Sequence, residues 1–126
     1  MKDQRKLIIE NYVKSYNNFD IKGMIKDMDN DVVFENIANG KVDLKTEGIV
    51  NFRKQAESSK RYFKERKQTI ESWSFHEYTV SINIDYEAIL DIDLPNSLKR
   101  GDILKLKGKS IFEFKKERII KITDES

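Results

Sequence analysis

The side chains able to do chemistry are few in this sequence, and they are thinly spread. Cysteine is absent, which removes thiolate nucleophiles, disulfides and zinc–cysteine sites. The one histidine, His76, lies in "SFHEYT" at an expected turn between two strands, where a solvated surface group is the simpler reading than a base. One histidine without spaced carboxylates is not a ligand set, so neither a metal nor another cofactor is expected. Asp85 and Glu87 in "INIDYE" have the look of a carboxylate pair for acid–base work. Strand alternation gives them a plainer role. With the next turn centred near Leu98, Asp85, Glu87 and Asp91 face the same side as Lys105, Lys107 and Lys109, a cross-strand charge ladder. That register sets Tyr86 opposite Ser110 and Ala88 opposite Gly108 on the other face, where small residues leave room for a ligand or for curvature. The basic run "RKQAESSKRYFKERK" has Glu57 and Glu65 mixed into it and reads as a solvated helix face.

Composition sets the frame. The chain has 126 residues, 38% hydrophobic and 37% charged, the size and balance of one globular domain spanning 1–126. With 24 basic and 22 acidic residues the net charge is only +2, which argues against a dedicated nucleic-acid protein. The N-terminal "MKDQRKLIIENYVKSY" has no apolar signal core and no run reaches membrane-spanning length, so a soluble cytoplasmic protein without membrane contact is expected.

Periodicity supplies the elements. Ile8, Ile9, Tyr12, Val13 and Tyr16 recur at helical spacing over 4–18. Asp20 is a candidate N-cap for a second helix over 21–28 that presents Met24, Ile25 and Met28. Val32 to Ile37 reads as a strand, Asn39-Gly40 as a tight hairpin turn and Lys41 to Lys45 as its return. Thr46 is placed to cap a third helix over 47–65, with Ile49, Phe52, Ala56, Ser59 and Phe63 along its apolar stripe. The period then becomes two. Strands are expected at 69–77, 78–94, 103–114 and 118–125, with "PNSLKRGD" as a turn. Helices gathered ahead of an antiparallel meander imply an α+β fold with the sheet curled around them.

That order, together with "NYVKSYNNFDIKGMIKDMDNDVVFEN" and the closing "FEFKKERIIKITD", resembles the nuclear transport factor 2-like superfamily, which includes ketosteroid isomerase, limonene epoxide hydrolase and the SnoaL-like polyketide cyclases. The resemblance covers nearly the whole chain. It rests on Tyr12-Val13, Asn17 and Asp20, Gly23, and the "DVVFEN" entry into the first strand. It implies a cone-shaped curved antiparallel sheet wrapped around three N-terminal helices, with a deep apolar pocket at one end. The pocket would be lined by Tyr12, Tyr16, Met24, Met28, Phe34, Asn36, Phe52, Phe63, Trp73, Tyr86, Ser110 and Phe112. Aromatic residues at such spacings also serve as ordinary core. A homodimer packed through the outer sheet faces is implied as well.

The resemblance also tests the chemistry. Ketosteroid isomerase uses an Asp base with a Tyr and a protonated Asp as oxyanion donors. Aligned from the first helix, the Tyr falls on Tyr12, the base on Asn36, and the second acid at or near Ser110. An amide takes no proton at neutral pH, so ketosteroid isomerase activity is not expected. Glu35 is adjacent but alternation turns it to the opposite face. Against limonene epoxide hydrolase, Phe34 and Asn36 resemble its Tyr-x-Asn pair without the hydroxyl, and "INIDYE" lacks the required Arg. The cyclases rely on a pocket acid, and the sequence offers no clear one. The expected function is therefore binding of a small hydrophobic molecule, with Tyr12 and Asn36 as polar contacts. Two alternatives stand: an isomerase, dehydratase or cyclase-like enzyme with an unassigned base, and an interaction module whose pocket its own side chains fill.

Overall fold

The computed structural model describes residues 2–126. Helices α1 (Lys2–Asn17) and α2 (Ile21–Ile25) lead into the hairpin β1 (Met28–Ala38) and β2 (Lys41–Glu47). Helix α3 (Ile49–Ser59) passes through a 3-10 turn, Lys60–Tyr62, into β3 (Phe63–Phe75), and β4 (Thr79–Leu90), β5 (Ile103–Lys115) and β6 (Arg118–Glu125) follow. The strands form one curved, unclosed sheet in the order β2-β1-β6-β5-β4-β3. Neighbours are antiparallel except β1 and β6, which run parallel. This is the α+β arrangement implied by the element order and the cone implied by the resemblance, with the parallel β1–β6 pair departing from the antiparallel sheet expected.

One face of each helix meets the concave side of the sheet. Ile8, Ile9, Tyr12 and Val13 of α1, Met24 of α2, and Phe52 and Ala56 of α3 are buried against Val80, Ile82, Phe112, Phe114, Ile119 and Ile122. α1 closes on Phe19 at φ 57°, with Asp20 N–H bonded to Ser15 O (2.8 Å) and Phe19 N–H to Tyr16 O (3.2 Å), the paired bonds of a Schellman cap. Asp20 then caps α2, its Oδ1 accepting from Gly23 N–H at 3.0 Å. The β1–β2 turn is the expected Asn39-Gly40, at φ 53° and 76°.

Several boundaries differ from the sequence reading, each for a physical reason. α2 stops at Ile25, and Met28 opens β1 opposite Ile119 instead of ending a helix. Thr46 belongs to β2 opposite Phe34, and the N-cap of α3 is Gly48 at φ 85°, with no side-chain cap. α3 ends at Ser59 and Phe63 begins β3, because pairing with β4, from Phe63 opposite Leu90 onward, overrides the helix propensity of the Lys/Arg/Glu-rich stretch. The inward positions there are Arg66 and Gln68, polar residues that hide the period of two.

The β4–β5 register differs too. β4 ends at Leu90, whose N–H bonds to Asp102 O (3.0 Å), and Gly101 N–H returns to Leu90 O (2.8 Å). Ile92 and Leu94 thus lie in the connecting loop. Tyr86 stands opposite Leu106, Ile82 opposite Ser110, and Ala88 opposite Leu104. The displacement from the expected register is even, so every side chain keeps its face. The charge ladder survives in part: Asp85 stands opposite Lys107 and is joined to it at 2.6 Å, Glu87 stands opposite Lys105, and Asp91 lies in the loop, 3.4 Å from Arg100.

Candidate functional site

A cavity of about 200 Å³ opens between the helices and the sheet near the C-terminal end of α1. Its apolar walls are Met24 from α2, Phe34 from β1, Phe52 from α3 and Phe63 from β3, with Tyr12 and Tyr16 from α1 and Asn36 from β1 beside them. Phe34 and Phe52 meet edge to face at 5.7 Å. An adjoining hollow of about 230 Å³ shares Tyr16, Asn36 and Asp124 with it and reaches Tyr86 and Ser110 on the large sheet. Larger depressions on the surface are lined by charged residues such as Lys67, Glu87 and Lys105.

Three residues named from the sequence lie elsewhere. Met28 and Phe112 are packed into the core, 2% and 0% exposed, and line neither space. Trp73 lies beyond a register shift between Ile70 and Ser72, stacked on Phe75 at 5.7 Å with Lys6 Nζ over its ring. It therefore sits by the N-terminal half of α1, whereas the cavity lies by Tyr12 and Tyr16. Phe63 lines the cavity, but from a strand instead of the helix expected for it.

The charged groups of the cavity, Asp124 and Arg66, come from residues the sequence reading did not single out. Asp124 lies on β6, directly across from Asn36 of β1, and lines both spaces. Burial pushes its carboxyl up to about 6, against the opposing hydrogen bond that Ser110 Oγ donates to Oδ1 at 2.7 Å. Ser110, aligned with an oxyanion acid of the resembling isomerase, thus holds the carboxylate that the pocket does contain. A signal for Asp124 was present: Ile122 and Asp124 alternate on one strand, and Ile122 is fully buried.

Arg66 reaches the cavity from β3. It is 5% exposed, and its Nε donates to Tyr16 O at 2.8 Å. The phenols around it are held protonated. Burial raises Tyr12 well above the ordinary value, and the nearby Asp124 charge adds to this. Burial raises Tyr16 too, partly offset by Arg66, and Tyr16 Oη donates to Tyr86 Oη at 3.0 Å. Asn36 shares the cavity with Tyr12, while its Nδ2 donates to Asp43 Oδ1 at 2.8 Å, beside the bulge where β2 shifts register.

The remaining candidates are surface groups. Glu35 faces away, paired with Lys121 at 3.0 Å, and the Lys121 hydrogen bond lowers its carboxyl below the usual value. His76 sits exposed in the β3–β4 turn, with Nε2 3.1 Å from Ser74 Oγ. Among the described residues no three His, Cys, Asp or Glu side chains gather as a metal set, and no helix is long and apolar enough to cross a membrane.

The cavity thus offers one carboxyl pushed up to about 6 by burial, a permanent cation, and phenols that stay protonated. A carboxyl tuned toward the working pH can take up or release a proton with little driving-force penalty.

No protein-family model matches the chain, and no curated protein matches it. Solved structures do. A candidate polyketide cyclase from Xanthomonas campestris superposes with a TM-score of 0.82 at 12% identity, over 98% of this chain and 90% of its own. An NTF2-like protein of unknown function from Burkholderia pseudomallei gives 0.78 at 11%, over 96% and 88%. TerC, crystallised with polyporic acid, gives 0.77 at 14%, over 96% and 89%. At these identities the likeness is one of fold: the chain has the nuclear transport factor 2-like fold.

Proposed function

We propose that this chain, acting as a single unit, binds a small and largely apolar molecule in the cavity between its helices and its sheet. The observation that carries this reading is the cavity itself. It is a partly open, mainly apolar space of about 200 Å³ lined by Tyr12, Arg66 and Asp124 from three different elements. Few convergent polar groups in an apolar wall are the usual build of a small-molecule site. Space of that size counts against a pocket filled by its own side chains. The co-crystallisation of TerC, a protein of the same fold, with polyporic acid adds support by analogy. The test is calorimetric titration of the wild type and of Ser59→Trp with small aromatic compounds. Ser59 lines the cavity and is only partly buried, so the indole would fill it. Binding by the wild type and its loss in a folded Ser59→Trp is the expected result. Equal binding by both would place the ligand elsewhere.

A second reading is favoured by Asp124. A carboxyl raised to about 6 beside protonated phenols suits proton transfer at a carbon next to a carbonyl, the step shared by isomerases, dehydratases and aldol-type cyclases. Incubation with 2-tetralone in deuterated buffer reads this out directly. Deuterium uptake catalysed by the wild type and abolished in Asp124→Asn supports an enzyme, and uptake at the buffer rate in both supports a binder. We further propose a homodimer through the outer sheet faces and a cytoplasmic setting, which fits a chain without cysteine.

A further inference from the structure

Arg66 is more than a cap for α1. The C-terminus of α1 is already closed by its Schellman bonds, and Arg66 Nε adds a further bond and a positive charge at Tyr16 O. The guanidinium lies close over two aromatic rings, its central carbon 3.7 Å from the Tyr16 ring centroid and 4.4 Å from that of Phe19. Its Nη2 is enclosed and has no hydrogen-bond acceptor. Among the described residues Arg66 forms no ion pair; those present join other side chains at the surface. Asp124 lines the same cavity but forms no ion pair with Arg66.

A buried cation with an idle donor is costly, and an acceptor carrying negative charge removes that cost most fully. Arg66 lines the same cavity as the apolar walls. We propose that the ligand is an apolar acid whose carboxylate accepts from the guanidinium of Arg66, with its apolar body against Phe34, Phe52 and Met24. This names the ligand class for the binding reading and rests on it.

Matched pairs that differ only in charge test the idea: benzoate against benzamide, and 2-naphthoate against 2-naphthamide. They are titrated into the wild type, Arg66→Gln and Arg66→Lys near pH 7. The wild type is expected to bind an acid about tenfold or more tightly than its amide, as a charge-assisted bond would give. In folded Arg66→Gln the acid should fall to the level of the amide, and Arg66→Lys should recover part of the preference. The Nε–Hε resonance of Arg66 should shift with the acid and not with the amide. Equal affinity for acid and amide in the wild type would overturn the carboxylate assignment and leave the cavity reading intact. Binding of neither pair would reject both. If Arg66→Gln fails to fold, the acid–amide ratio and the Arg66 resonance of the wild type decide alone.

Discussion

Asp124 is ionisable in a place that resists ionisation, and this has a consequence for stability. Its folded-state value of about 6 lies above the ordinary 3.8, and the cause is burial. Between those values the folded chain holds a proton that the unfolded chain has released. The contribution of this group is therefore most favourable below about pH 4 and is lost as pH rises through 6. Asp124→Asn should be more stable than the wild type at pH 7.5, by on the order of 1–3 kcal/mol, with the advantage shrinking toward pH 4. Denaturant melts of both proteins from pH 4 to 8 check this. A difference that does not change with pH would mean the carboxyl is not held above its ordinary value. Stability given up at a single cavity carboxyl is the pattern expected of a functional site. At this scale the sequence was only partly legible. Tyr12, Tyr16 and Phe34 follow from periodicity, and Asp124 was readable from its alternation with Ile122. Arg66 was not, because its inward direction depends on β3 starting early, and a Lys/Arg/Glu-rich stretch reads as helix on propensity alone.

The elements were legible wherever a local rule acts alone. The Asp20 cap and the Asn39-Gly40 turn depend on a few adjacent residues, and both lie where local chemistry puts them. Gly40 at φ 76° has nothing within 4 Å of where a Cβ would stand, so a substitution there meets backbone strain and no clash. Gly40→Val should therefore destabilise the fold by about 1 kcal/mol or more, measured as a lower denaturation midpoint at unchanged slope. An unchanged midpoint would show that this turn does not need its left-handed residue. The α3–β3 boundary and the β4–β5 register are different in kind. Both are decided by pairing between segments distant in the chain, and in the second case by a loop whose own bonds, such as Leu94 N–H to Leu98 O at 2.7 Å, close it earlier than hydrophobic alternation implies. The even displacement kept the faces right, so a wrong register still put Asp85 and Glu87 on the side of the lysines, while Asp91 left the ladder for the loop.

For the whole molecule, the outer surface of the sheet bears on assembly. That surface carries the Asp85–Lys107 pair at 2.6 Å and the Glu35–Lys121 pair at 3.0 Å. Among these charges stand Ile89 and Ile111, both partly buried, and Ile103, 57% exposed. Isolated apolar side chains need no partner, but three on one sheet face amid alternating charges make a surface that can meet its own copy about a two-fold axis. In such an interface apolar side chains would supply the association and the ladder would set its register, leaving a mixed and partly polar contact. Exposed charge pairs are screened by salt, so assembly should respond to ionic strength. Sedimentation at micromolar concentration should show a dimer at low salt that weakens at high salt. Lys107→Glu, which sets a second acid against Asp85, should give monomer with the fold unchanged. A wild type that sediments only as monomer at low salt would rule out the outer face as a dimer interface. A dimer untouched by Lys107→Glu would move the interface to another part of the surface, such as the β2 edge, where Val42 is 52% exposed.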